Sequence, residues 1–338
     1  MHRALVQLWI ALLAACAGGP PPTAIAQAGG IVIRATALPF NLEDPADRRT
    51  GRLIWRGGVA LTASNPAFGG WSGLHVAPDG SSLSAISDVG HWLTARIVQD
   101  AAGTLTGLAD ARFGPLRGLD GKPLGDKRSA DAESLARLAD GSWLVAFEQR
   151  HRLWRYPAGD EANGAGLAGL PVPVEGPADL GRQPANGGLE ALAALPDGRV
   201  MGLSEVYSKR PGTSVGWIGA PSDTGWRWQE FGYTATPDYK PTALAVLPDG
   251  DLVVVERAFS PALGVRCRVL RLAVGAIAAG ATVQAVELAR LASPLAVDNL
   301  EGVAATRGPR GETLIWLISD DNFNPLQRTI LLKFELAP

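Results

Sequence analysis

Five times along this chain an apolar run of strand length meets a glycine-centred turn, and a second, more strongly apolar run follows. Residues 72–80 lead into 83–88, 133–141 into 143–148, 190–198 into 200–205, 242–250 into 252–256, and 301–311 into 314–320. Four of the turns read Asp-Gly and the last Arg-Gly, and glycine accepts the positive φ that tight turns need. The second runs, such as Leu252-Val253-Val254-Val255, are apolar at consecutive positions instead of alternate ones. Both of their faces are therefore predicted to be buried. Hairpins that recur 52 to 61 residues apart, without long helical periodicity, predict an all-β propeller. Residues 152–156, 215–219 and 269–274 are predicted to add outer strands, and 39–49 and 275–280 to form short helices or loops. If 31–62 joins 329–336, the ring is expected to have six blades, closed by pairing of the N- and C-terminal strands; five blades is the alternative.

The first 28 residues stand outside this pattern. His2 and Arg3 precede an apolar run over 4–15, the length of a signal-peptide core and too short to span a bilayer. Leu13-Ala14-Ala15-Cys16 has the form of a lipoprotein processing box, with 17–28 as tether and residues 29–338 as a single propeller domain. Cleavage after Ala26 or Ala28, giving plain secretion, is the alternative. The protein is thus expected to be exported, as a periplasmic or outer-membrane lipoprotein or a secreted protein, touching the membrane only through a lipid on Cys16. Cys267 is then left without a disulfide partner and is expected to be buried in a strand. A net charge of −2 excludes a general basic field for nucleic acid, and no cysteine pair has zinc-site spacing. A monomer is expected.

Residues equidistant from a hairpin turn lie side by side at its open end. Glu133 and Glu148 stand so about Asp140-Gly141, and Glu190 and Glu205 about Asp197-Gly198. Ser72 and Asp88 flank Gly80, Thr242 and Glu256 flank Asp249, and Glu301 and Asp320 flank the loop at Arg310-Gly311. The first strand of a propeller blade lines the axis. Asp88, Glu133, Glu148, Glu190, Glu205, Glu256, Glu301 and Asp320 are therefore predicted to converge at one mouth of the channel. Carboxylates so gathered need shared protons, basic partners or a bound cation. Oxygen-only ligation favours a hard ion, Ca²⁺ or alternatively Mg²⁺. Any one of these acids also suits a strand cap or a rim ion pair; the recurrence is what argues for a site.

Cations follow the acids. Arg150, Lys209, Lys240 and Arg257 are predicted to clamp a small anionic ester or phosphate, with Glu190 or Glu205 as the base, although ion pairing explains the same basic residues. Lys127 and Arg128 precede Glu133, and His91, Trp92, Tyr207 and Tyr239 fall near the same face. Several other chemistries are excluded. Leu74 breaks the nucleophile-elbow pattern around Ser72, and His75 reads as a packed strand residue. No zinc-protease helix, phosphate-binding loop or dinucleotide fingerprint is present. Asp320–Asn324 opens like a calcium loop, but Pro325 and Leu331 occupy its glycine and glutamate positions.

The chain resembles the phytase-like family, described by esterase-like activity of phytase. The resemblance is carried by Gly73-Leu74 with Ser87-Asp88-Val89-Gly90, Asp131-Ala132-Glu133 and Gly188-Leu189-Glu190. It continues through Lys240-Pro241-Thr242-Ala243-Leu244 with Glu256-Arg257, and Asp298-Asn299-Leu300-Glu301-Gly302 with Ser319-Asp320-Asp321-Asn322. It implies an exported bacterial propeller, distantly related to Ca²⁺-dependent phytases that cleave phosphomonoesters. Ser72 and Thr242, where other repeats carry Glu, depart from the repeat. The function expected is a Ca²⁺-dependent hydrolase of phosphomonoesters or carboxylic esters acting at the acidic mouth. The alternatives are a lactonase-type hydrolase and a non-catalytic, calcium-stabilised binding module.

Overall fold

The computed structural model describes residues 29–223 and 225–338, so the leader and Cys16 lie outside the described residues. Five antiparallel hairpin repeats form five small sheets arranged as the blades of a ring. The innermost strands are Trp71–Val76, Ala132–Arg137, Leu189–Ala194, Lys240–Val246 and Leu300–Arg307, and each touches the inner strands of both neighbours. The ring is therefore closed with five blades, not six. The N-terminal region does reach the C-terminal strand, but it adds to an existing blade. Leu53–Ala63 pairs antiparallel with Ile330–Leu336, and Ile33–Ala37 then pairs with Leu53–Ala63 as the outer edge. The predicted pairing of the two chain ends is thus observed within the fifth blade.

The consecutive apolar residues of the second strands find their reason in the interfaces between blades. One hydrophobic core fills each of the five gaps, and every second strand contributes side chains to two of them. Val253 and Val255 face the fifth blade, while Leu252 and Val254 face the third. Close approach at the axis is made by small residues. Gly73 lies against Leu135, and Gly302 against Leu74, where an added Cβ would fall 2.9 Å from the neighbour's Cβ. Ser134 Oγ donates to Leu189 O (2.7 Å) and Thr242 Oγ1 to Leu300 O (2.9 Å), which stitches adjacent inner strands together. Cys267 is fully buried in Gly264–Leu272, as expected. Among the described residues, no helix is long and apolar enough to cross a membrane.

The seam is held by aromatic packing. Phe334, fully buried on the C-terminal strand, meets Trp55 at 5.2 Å and Phe40 at 5.9 Å between ring centroids. Phe334→Ala is expected to destabilise the ring by about 3–5 kcal/mol, read from denaturant unfolding. A loss below about 1 kcal/mol would show that closure does not rest on this contact.

Candidate metal centre

The mouth is built by a defect repeated in every blade. Each inner strand carries one extra residue, a β-bulge, near its start: Ser72, Glu133, Glu190, Thr242 and Glu301. A bulged residue is left out of the ladder and its side chain is re-aimed. The bulge also shifts the register by one. Asp88, Glu148, Glu205 and Asp320 thus stand opposite Gly70, Asp131, Gly188 and Asn299, to whose carbonyls their amides donate at 2.8–2.9 Å. The acids are brought together as two staggered tiers, not as the side-by-side pairs expected from turn spacing.

The same register corrects the fourth blade. Arg257, paired with Lys240, occupies the position of Asp88, Glu148, Glu205 and Asp320, so this blade presents a cation where the others present an acid, with a second cation opposite it. Glu256 falls one residue back and leaves the ring. It is fully buried between the third and fourth blades, accepting from Tyr233 Oη (2.8 Å) and facing Arg268 Nη1 (3.3 Å). Lys209 is also elsewhere: its Nζ lies 2.7 Å from Asp179 and is bonded to Glu230. Arg150 is exposed on the loop after Glu148. His91 and Trp92 are buried within the first blade, where His91 stacks on Phe113 at 4.9 Å.

Two residues outside the predicted ligand and clamp sets are central, although Lys127 was expected on this face. Asp131, buried at the foot of the second blade, brings a carboxylate oxygen within 4.8 Å of oxygens of Glu133 and Glu148. Lys127, on a one-turn helix capped by Asp126, places Nζ 2.5 Å from Asp88 Oδ2 and 2.6 Å from Asp131 Oδ1. The signal for Asp131 was its place immediately before the inner strand, two residues ahead of Glu133; the bulge at Glu133 is what sets it opposite Glu148. On the other side of the mouth, Arg257 Nη2 lies 3.4 Å from both Glu205 and Glu301, and Lys240 Nζ 3.4 Å from Glu205.

These cations do not neutralise the mouth. Burial, then repulsion from Asp131 and Glu148, pushes Glu133 well above the usual carboxylate range against the pull of Lys127. Glu190 is pushed well above it by burial and by Glu205, Glu148 and Glu301, with Arg257 opposing. Burial, Asp88 and Glu301 do the same to Asp320. Burial raises Glu148 to about 7, although the amides of Gly188 and Gly187 donate to its Oε1. Burial alone would lower Lys127 and Arg257, yet the surrounding carboxylates hold both above their ordinary values. Glycine is required where the backbone skirts these groups. Gly70, at φ +67°, could not carry a Cβ without colliding with Asp88 Oδ1.

The donor set fits a hard divalent cation. The converging groups are carboxylate oxygens, Asp88 Oδ1 is buried without a hydrogen-bond partner, and the raised acids gain from added positive charge. Asp131, Glu133 and Glu148 are the residues placed to hold it.

The model of a family described as "Phytase-like: Esterase-like activity of phytase" matches residues 66–323, a span that contains every residue of the mouth. The chain belongs to this phytase-like family. No curated protein matches it. Among solved structures, the chain is similar to the endo-arabinase from Bacteroides thetaiotaomicron VPI-5482, at 9% identity over 79% of this chain and 94% of that one, with a TM-score of 0.47. It is also similar to the PQQ-bound aldose sugar dehydrogenase from Streptomyces coelicolor, at 15% identity over 93% and 99%, with a TM-score of 0.42.

The raised carboxyls make stability depend on pH. Glu148 is protonated more readily folded, at about 7, than unfolded, near 4.5, so its contribution is complete below about 4.5 and lost as pH rises through about 7. The melting temperature of chelator-treated protein is expected to fall between about pH 5 and 8. Calcium at about 100 times Kd should restore about 2.7 kcal/mol, or roughly 5–10 °C. Glu190→Gln should flatten the fall, and a profile indifferent to both pH and calcium would contradict the site.

Proposed function

We propose that this phytase-like propeller is a metal-dependent ester hydrolase, with Ca²⁺ at the acidic mouth and a small anionic phosphomonoester or carboxylic ester as substrate. The observation that carries this reading is the pairing at one opening of an oxygen cluster, Asp131, Glu133 and Glu148, with the two cations of the fourth blade. Family membership supports the esterase-like class of reaction.

When bound, the metal would supply Lewis-acid charge and lower the pKa of a coordinated water. Asp131, Glu133 and Glu148 would hold it. Glu190, crowded by Glu205, Glu148 and Glu301, is the proton acceptor of this scheme, because a carboxylate forced upward in pKa is a stronger base near neutrality. Arg257 is fixed by Glu205 and Glu301, and Lys240 stands beside it, half-exposed; together they would receive the anionic part of the substrate. Arg150 would assist from the rim. Lys209, committed to Asp179 and Glu230, has no part in the clamp. The reading includes export, with the leader removed and Cys16 as the lipid-bearing residue.

Hydrolysis of p-nitrophenyl phosphate and p-nitrophenyl acetate is expected to fall at least about 100-fold on chelation and in Glu190→Gln, while Lys209→Ala stays within about twofold of the parent. Calcium-dependent melting without turnover of either ester, or of a lactone, would replace this reading by a calcium-stabilised binding module. Preferential lactone opening would make the enzyme a lactonase.

A further inference from the structure

The far end of the channel has the opposite chemistry. Below the acidic tier the inner strands close to a waist beside Leu74, Leu135, Leu192, Leu244 and Val303, where a void of about 10 Å³ remains. That is about the space of a single water. Beyond the waist the axis opens into a vestibule of about 390 Å³ reached from the hairpin-turn side and lined by all five inner strands. This volume lies in the range of small-molecule pockets. Its walls are mostly Leu, Val and Ala, including Ala136, Ala194 and Ala245.

Charged groups at the rim differ in how they are compensated. Arg137 lies over the Trp143 ring at 4.3 Å with Nε 3.2 Å from Glu161, and His75 Nε2 is 3.5 Å from the same carboxylate. These contacts pair the charge of Arg137 with Glu161, although Arg137 Nη1 is buried without a hydrogen-bond partner. Arg307 is exposed and bonded only to carbonyls, Nη2 to Pro248 O at 3.1 Å and Nη1 to Gly311 O at 3.4 Å. Among the described residues no carboxylate lies within ion-pairing distance of it. The pocket thus joins aliphatic side chains and polar surface in about equal share, with one guanidinium at its lip that has no carboxylate partner among the described residues; guanidinium binds carboxylates in a planar, two-pronged geometry.

We propose that this vestibule is a second ligand site, separate from the acidic mouth, that takes a small organic monoanion with an apolar body. The carboxylate sits on Arg307 and the apolar part lies along the alanine walls towards the leucine waist. The aliphatic side chains give affinity without direction, and Arg307, the cation without a carboxylate partner, sets orientation and charge preference.

Calorimetric titration of the purified protein with hexanoate, hexan-1-ol and hexylamine tests this. Hexanoate is expected to bind at least about tenfold more tightly than the alcohol, and the amine not at all. Arg307→Gln, at an exposed position that leaves the fold alone, should remove the preference for hexanoate over the alcohol. Ala245→Phe, which fills the vestibule, should abolish binding of both. Glu133→Gln, at the opposite mouth, should leave hexanoate binding unchanged whether or not the hydrolase reading holds. Absence of hexanoate binding, equal binding of acid and amine, or undiminished binding in Arg307→Gln or Ala245→Phe would overturn the proposal.

Discussion

Closing five hairpins about one axis forces their open ends together, and in this chain those ends are rich in carboxylates. Asp88, Asp131, Glu133, Glu148, Glu190, Glu205, Glu301 and Asp320 share one mouth with Lys127, Lys240 and Arg257. Like charges in a partly dehydrated site interact far more strongly than on an open surface. The ring can hold them only by protonation, by ion pairing or by taking up a cation, and ion pairs are part of the local architecture. Lys127 bridges Asp88 and Asp131, and Arg257 lies between Glu205 and Glu301, yet several acids are still driven upward. The excess negative charge is what would give a metal its hold in the proposed site.

Much of this was legible in the sequence because hairpin chemistry is local. Asp-Gly turns and doubly apolar second strands were enough to place the blades and to bring Glu133, Glu148, Glu190, Glu205, Glu301, Asp88 and Asp320 to one end. Two things were not legible. Turn spacing cannot reveal a bulge that recurs in every inner strand and staggers the acids; the spacing does show that the seventh residue after the turn glycine, Glu148 and Glu205 in two other blades, is Arg257 in the fourth and not Glu256. Blade number depended on whether residues 31–62 made a blade of their own. Their strands instead extend the blade completed by Ile330–Leu336, where Phe40 and Trp55 bury themselves on Phe334. Lys209 shows a further limit: proximity to Glu205 in sequence says nothing of Asp179, thirty residues earlier, which captures its ammonium.

The two ends of the channel also divide labour by chemistry. The mouth is polar, crowded and rich in carboxylates, and the vestibule is lined largely by aliphatic side chains, with Arg307 at its rim bonded to carbonyls and, among the described residues, to no carboxylate. The waist between them is made by the same inner strands, two residues beyond the bulge. The bulge and the waist therefore follow from one repeated strand design. Substitutions at Ser72 and Thr242, where other repeats carry Glu, thin the upper tier on the first and fourth blades and leave the densest group of oxygens at the second.

The central claim is that the mouth carries protons it exchanges for a cation. Titration of Ca²⁺ into chelator-treated protein near pH 6, in buffers of different ionisation enthalpy, measures this directly. The account predicts saturable binding with release of about one proton or more per ion, because Glu133, Glu148 and Glu190 must ionise to ligate or to lie beside the metal. Binding without proton release, or no binding, would contradict it.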